Sequence, residues 1–163
     1  MCQPKGGPKE TGPNPTDKGK PGSKRHIVSD RGGVPLAVVL SAANVHDSKV
    51  MEEAVDAIEP IKRPRGCPGR PRKRPKKKLH ADKGYDFPRC RKALRRRGIK
   101  ARISRRGIDS SERLGGHRWV VERTLAWLSR YRRLAERYER RAADIHEAFL
   151  HLGCSLICLN YLK

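Results

Sequence analysis

This sequence predicts an α/β fold, a small mixed sheet covered by helices. Three observations carry that expectation. Two short β-prone runs stand in the first third of the chain, strand-like and helix-like segments alternate from residue 79 to residue 103, and two helical stretches follow residue 114. At 163 residues the chain has the length of one domain.

Residues 1–23 are rich in Gly, Pro, Lys, Asn and Thr, show no hydrophobic period and are expected as an extended basic arm. The domain proper then runs over 24–163. Arg25 to Ser29 and Leu36 to Ala42 read as two strands, joined by Asp30-Arg31-Gly32-Gly33 into a hairpin. Asp47 precedes Ser48 to Ile58, where Val50, Ala54, Val55 and Ile58 recur at helical spacing, so Asp47 is expected to be the N-cap. Residues 62–78 hold ten Lys and Arg, four Pro, two Gly and no acid, a composition that excludes a regular element. Within this basic loop Gly69-Arg70-Pro71-Arg72 partly resembles an AT-hook, with Arg70 and Arg72 as candidate minor-groove contacts. Pro68 stands where such a hook places an Arg, so a solvated loop touching phosphates nonspecifically is the preferred reading.

Leu79 to Asp82 reads as a brief strand, Phe87 to Arg97 as a basic helix and Lys100 to Ile103 as another strand. A long helix is expected from Leu114 or His117 to about Tyr138, and a last one after Asp144, where Asp144 and Glu147 have the spacing of a capping box.

Charge names the partner class. With 39 Lys and Arg against 17 Asp and Glu, the formal net charge is +22 and the pI about 10.6. Such charge is self-repulsive in a compact fold and suits a polyanion, above all nucleic acid. A membrane is not the expected partner, because the longest apolar stretch, Phe149 to Leu162, is too short to span and carries His151 and Asn160. The amino terminus has no apolar signal core, so a cytoplasmic protein is expected. Cys2, Cys67, Cys90, Cys154 and Cys158 lack C-x-x-C spacing and are expected as thiols, with Cys154 and Cys158 packing as small hydrophobes.

Within this cationic field Asp82 and Glu122 stand out. Asp82 ends a strand and is followed by Lys83-Gly84-Tyr85, which puts it at the carboxyl edge of the sheet, where α/β folds place ligands. Taken alone it reads first as a strand-terminating Asp that accepts backbone hydrogen bonds. Glu122 lies mid-helix, four residues after Arg118, and taken alone reads as half of an i, i+4 ion pair. Lys83, Arg118, Arg123 and Arg130 flank the acids and are candidate DNA contacts; their plain reading is solubilising charge. His80 shares a strand face with Asp82 and reads as an incidental surface histidine.

Together the segments ADKGYD and RWVVERTLAWL, with GPNPTDKGKPGSKRHIV and ANVHDS upstream and RYERRAADIHEAFLHLGCSLICLNYL downstream, resemble the carboxyl half of insertion-sequence transposases of the IS4/IS5 type, the DDE family. The resemblance runs from about Lys5 to the end. It implies a ribonuclease-H-like mixed sheet flanked by helices, here lacking its first strand. It also implies an Asp-Asp-Glu triad in which Asp82 matches the second Asp and Glu122 the Glu, as catalytic residues and metal ligands. In the complete enzyme two Mg²⁺ or Mn²⁺ ions would stabilise the attacking and leaving oxygens of phosphodiester hydrolysis and strand transfer. The implied partner is DNA, both transposon ends and target, with a homodimer left open, in the bacterial cytoplasm at the nucleoid. Arg118 matches the family's Arg before the Glu, whereas Gly115 stands where a Tyr is expected and Ser129 where a basic residue is expected, beside Arg130. No residue matches the first Asp, so the resemblance implies a chain that is weak or inactive by itself. The alternatives from charge alone are a non-catalytic basic DNA-binding protein and, more remotely, an RNA-binding one.

Overall fold

The computed structural model describes residues 11–58, 77–105, 111–135 and 143–162, with backbone only for 111–118 and 143. Its elements are β1 (Gly12–Pro13), β2 (Pro21–Ser29), β3 (Pro35–Ala42), α1 (Asp47–Asp56), β4 (Lys78–Ala81), α2 (Pro88–Arg96), β5 (Lys100–Ile103), α3 (Ser111–Ser129), α4 (Arg132–Ala135) and α5 (Ala143–Asn160). A 3-10 turn, Lys83–Tyr85, follows β4.

The expected hairpin is present: β2 and β3 pair antiparallel, with His26 opposite Val39 and Ile27 opposite Val38. Asp30 closes its turn by accepting the Val34 amide at Oδ1, 2.9 Å. Residues 11–22, expected in an extended arm, are partly paired instead: β2 begins at Pro21, and Gly12 and Pro13 of β1 sit opposite Gly22 and Pro21. The turn between them is stabilised locally by Asn14, whose Oδ1 accepts the Thr16 amide at 3.1 Å. Composition missed this because a polar turn needs no hydrophobic period.

A single mixed sheet was expected, and the described residues form two. One is antiparallel, β1-β2-β3; the other is the parallel pair β4-β5, bridged by α2. Strand alternation gives the hairpin two buried faces. On one, Val28 and Val39 meet Val50 and Ala54 of α1. On the other, Ile27, Val38 and Leu40 meet Leu128, Leu134, Leu150 and Ile157 of α3, α4 and α5. A separate cluster of Met51, Val55, Cys90, Leu94 and Ile103 joins α1 to α2 and β5.

Several helix boundaries differ from expectation, α3 among them, which begins at Ser111 and not at Leu114 or His117. The side chain that caps α1 is His46, whose Nδ1 accepts the Ser48 amide, so Asp47 is the first helical residue and not the cap. The helix expected to run to Tyr138 stops at Ser129 and restarts as α4; residues 136–138 lie outside the described residues. The Arg130 and Tyr131 amides bond three residues back, to Trp127 and Leu128, which tightens and ends the turn. The break brings Leu134, 1% exposed, into the core. Finally α5 begins at Ala143, which sets Asp144 inside its first turn.

Candidate active site

β4 ends at Ala81, and Asp82 follows as the N-cap of the 3-10 turn, with its Oδ1 accepting the Lys83 amide at 2.6 Å. It is exposed, at the carboxyl end of the parallel β4–α2–β5 unit. The local reading and the functional one therefore coexist, since capping the turn aims the carboxylate outward at the strand end. Gly84 does not provide a left-handed turn, because among the described residues the positive φ values belong to Lys18, Gly19, Gly33 and Gly98.

Three tertiary contacts hold this turn, and the sequence singled out none of them. The Tyr85 hydroxyl faces His26 Nδ1 at 3.5 Å, and His26 Nε2 meets Ser41 Oγ at 2.8 Å. The second comes from Asp47, whose Oδ2 packs against Gly84, 3.8 Å from where a Cβ there would stand, while its Oδ1 accepts from Lys24 Nζ at 3.0 Å. The third lies next to it in sequence on both sides: His46 packs edge-on against Phe87, with ring centroids 5.1 Å apart, and Ser48 accepts hydrogen bonds from Arg89 at its hydroxyl and from the Cys90 thiol at its carbonyl. His46-Asp47-Ser48 thus interlocks with Gly84 to Cys90. Burial pushes the Tyr85 phenol up to about 12, with Asp47, Cys90 and Asp82 adding to it. Burial lowers the pKa of His26, against the pull of Asp47 and with a small push from Lys24. Strand alternation could have flagged His26, a polar residue on the same inward face as Val28.

Glu122 is exposed on α3, turned away from the buried stripe Val120, Thr124 and Leu128. Its neighbour Arg123 is committed within the chain. The guanidinium lies between Trp119 and Trp127, 4.6 and 4.7 Å from the ring centroids, and donates to the Gly32 carbonyl. Thr124 Oγ1 donates to the Gly33 carbonyl at 2.8 Å, and Tyr161 donates to Gly32 at 2.7 Å. Gly33, at φ 86°, fits because a Cβ there would meet Arg123 Nη2 at 2.9 Å. The two acids consequently belong to different layers, Asp82 with α1 and α2, Glu122 with α3 against the opposite hairpin face. Lys83 is half-buried beside Asp82, and Arg130 is exposed after the end of α3. Arg70 and Arg72 lie outside the described residues, as does the side chain of Arg118.

A family model described as Transposase DDE domain matches residues 2–157. The chain belongs to the DDE transposase family. This transposase chain is also 55% identical, over 154 residues, to a Burkholderia cepacia protein named as transposase for insertion sequence element IS402; the match covers 94% of this chain and 71% of that one. No solved structure matches it. Among the described residues, no helix of the transposase chain is long and apolar enough to cross a membrane.

Proposed function

We propose that this chain carries two carboxylates, Asp82 and Glu122, of a DNA transposase that cleaves a phosphodiester at the end of an insertion sequence and transfers the freed strand to target DNA. The observation that supports it best is the placement of Asp82, an exposed acid at the carboxyl end of a parallel strand, in a +22 chain of the DDE family. In this reading Lys83, Arg118 and Arg130 neutralise phosphates around the acids, and Arg70 and Arg72 extend the contact along the duplex. Arg123 serves the hairpin, through its two tryptophans and Gly32.

DDE transposases use divalent metal ions, and carboxylate oxygens are the donors that Mg²⁺ or Mn²⁺ takes. Asp82 and Glu122 are of the right chemistry. Among the described residues, however, no three of His, Cys, Asp and Glu gather into a group that could hold a metal ion. The described acids alone do not complete such a site. The second reading, a basic DNA-binding protein without chemistry, is accommodated equally by the +22 charge. A homodimer belongs to the transposase reading and is tested by sedimentation with and without DNA.

Incubating the chain with DNA carrying the ends of its element and Mg²⁺ or Mn²⁺ separates the two readings. The transposase reading expects metal-dependent strand cleavage, however slow, that Asp82→Asn and Glu122→Gln abolish while binding persists. Absence of cleavage even after an amino-terminal segment supplying a further acid is joined to the chain, with binding that falls steeply in salt, leaves the binder.

A further inference from the structure

We propose that Asp47 and Tyr85 are positioning residues for Asp82, fixing the Lys83–Tyr85 turn on the hairpin and so the direction in which the Asp82 carboxylate points. The inference rests on Asp82 being a reacting acid, as proposed above.

The argument begins with what the turn lacks. It is a 3-10 segment of three residues with Gly84 at its centre, and so short a helix has no stability of its own. Its internal bonds are few: the Tyr85 amide to the Asp82 carbonyl at 3.0 Å, Asp86 to Lys83 at 3.1 Å and Phe87 to Tyr85 at 2.8 Å. The Asp82 side chain is tied to that backbone through the Lys83 amide at 2.6 Å, so whatever fixes the turn fixes the carboxylate. An exposed side chain with no such tie would sample several rotamers.

Contacts from three elements converge on the turn. From the hairpin comes a polar chain, Ser41 of β3 to His26 of β2 to Tyr85, with His26 only 6% exposed and Ser41 8%. Buried polar side chains persist in a core when their partners are in place, which gives such a chain directional specificity that apolar contact lacks. From α1 comes Asp47. Its expected role, capping the helix, is performed by His46, and its carboxylate instead accepts from Lys24 Nζ on Oδ1 while Oδ2 lies against Gly84, 3.8 Å from where a Cβ there would stand. Lys24 is anchored in turn by the Val45 carbonyl at 3.0 Å. Asp47 therefore ties the hairpin to the start of α1 and packs its second carboxylate oxygen against the turn carrying Asp82. The sequence HDS, which the assignment of Asp82 and Glu122 leaves unexplained, has a task in this arrangement.

The test reads the Lys83 amide, which reports directly on the Asp82 carboxylate. Amide exchange and the ¹H–¹⁵N spectrum of the chain are recorded for wild type, Asp47→Asn, Tyr85→Phe and the milder Ser41→Ala. In wild type the Lys83 amide is expected downfield and protected. Both Asp47→Asn and Tyr85→Phe should speed its exchange about tenfold while α3 and α5 amides and the melting temperature hold. His26→Gln, which can still bridge Ser41 and Tyr85, should retain protection where His26→Leu loses it, a rescue that mere packing would not produce. An unchanged Lys83 amide in Asp47→Asn and Tyr85→Phe overturns the proposal, and if either fails to fold, an unchanged amide in Ser41→Ala does so. Cleavage by Asp82→Asn tests the transposase reading separately: loss of cleavage with an indifferent Lys83 amide sinks the positioning alone, whereas cleavage that survives Asp82→Asn sinks the reading beneath it.

Discussion

The two acids rest on layers built by different physics. Asp82 is held by polar contacts, with Ser41-His26-Tyr85, Lys24-Asp47 and Asp86-Arg91 all converging around one short turn. Glu122 rides on a helix fixed by apolar packing, with Leu128 and Leu150 at 0% exposure, and by an arginine clamped between tryptophans. Polar support gives direction and makes a site sensitive to charge and pH, whereas apolar support gives rigidity and is sensitive mainly to volume. The hairpin belongs to both layers, so its loss would remove both.

The largest expected effect is on the apolar layer. Leu128→Ala should cost about 3 kcal/mol, and Leu94→Ala in the α1–α2–β5 cluster a similar amount, by urea denaturation. If the shared hairpin couples the layers, each variant shifts one common transition; two separated transitions would break that view. Next comes the clamp: Arg123→Ala, by the same measurement, should lose about 1 to 2 kcal/mol, because two ring contacts and a bond to the hairpin turn go together.

Acid should weaken the polar layer selectively. The pKa of His26 is depressed in the fold, so below the ordinary histidine value the unfolded chain binds the proton that the folded chain refuses. Stability is therefore complete above about pH 6.5 and declines as pH falls from there toward the depressed folded value. His26→Gln should flatten that part of a melting-temperature profile, and an equally steep slope in the variant would assign it to other groups. The smallest effect is expected at the acids themselves. Both are exposed, so Asp82→Asn and Glu122→Gln should each change stability by less than about 0.5 kcal/mol. A larger cost for Glu122→Gln than for Asp82→Asn would make Glu122 a structural member of its layer.

Much of this was legible in the chain. The hairpin, β4, β5 and the α2 between them follow from period and turn residues, because those signals act over a few neighbouring positions. Asp82 and Glu122 were legible as acids in a basic field and through motifs that the DDE family match supports at the level of the family. The division of the strands into two sheets was not legible, since pairing joins residues far apart and periodicity does not encode a partner. Nor were the break at Arg130 and the role of Asp47. In the first, a tertiary demand to bury Leu134 won over helical period; in the second, His46 took the cap and freed a carboxylate to act across the fold.

By itself, then, the sequence determined most of the local elements and the strongly basic charge, because composition and short-range pattern suffice for each. The tertiary structure alone decided which groups hold Asp82 in place, that Arg123 turns inward to Trp119, Trp127 and Gly32, and that the two acids stand on separate layers of one hairpin. Those outcomes depend on contacts between residues as far apart as Gly32 and Tyr161, and only the folded chain brings such residues within reach.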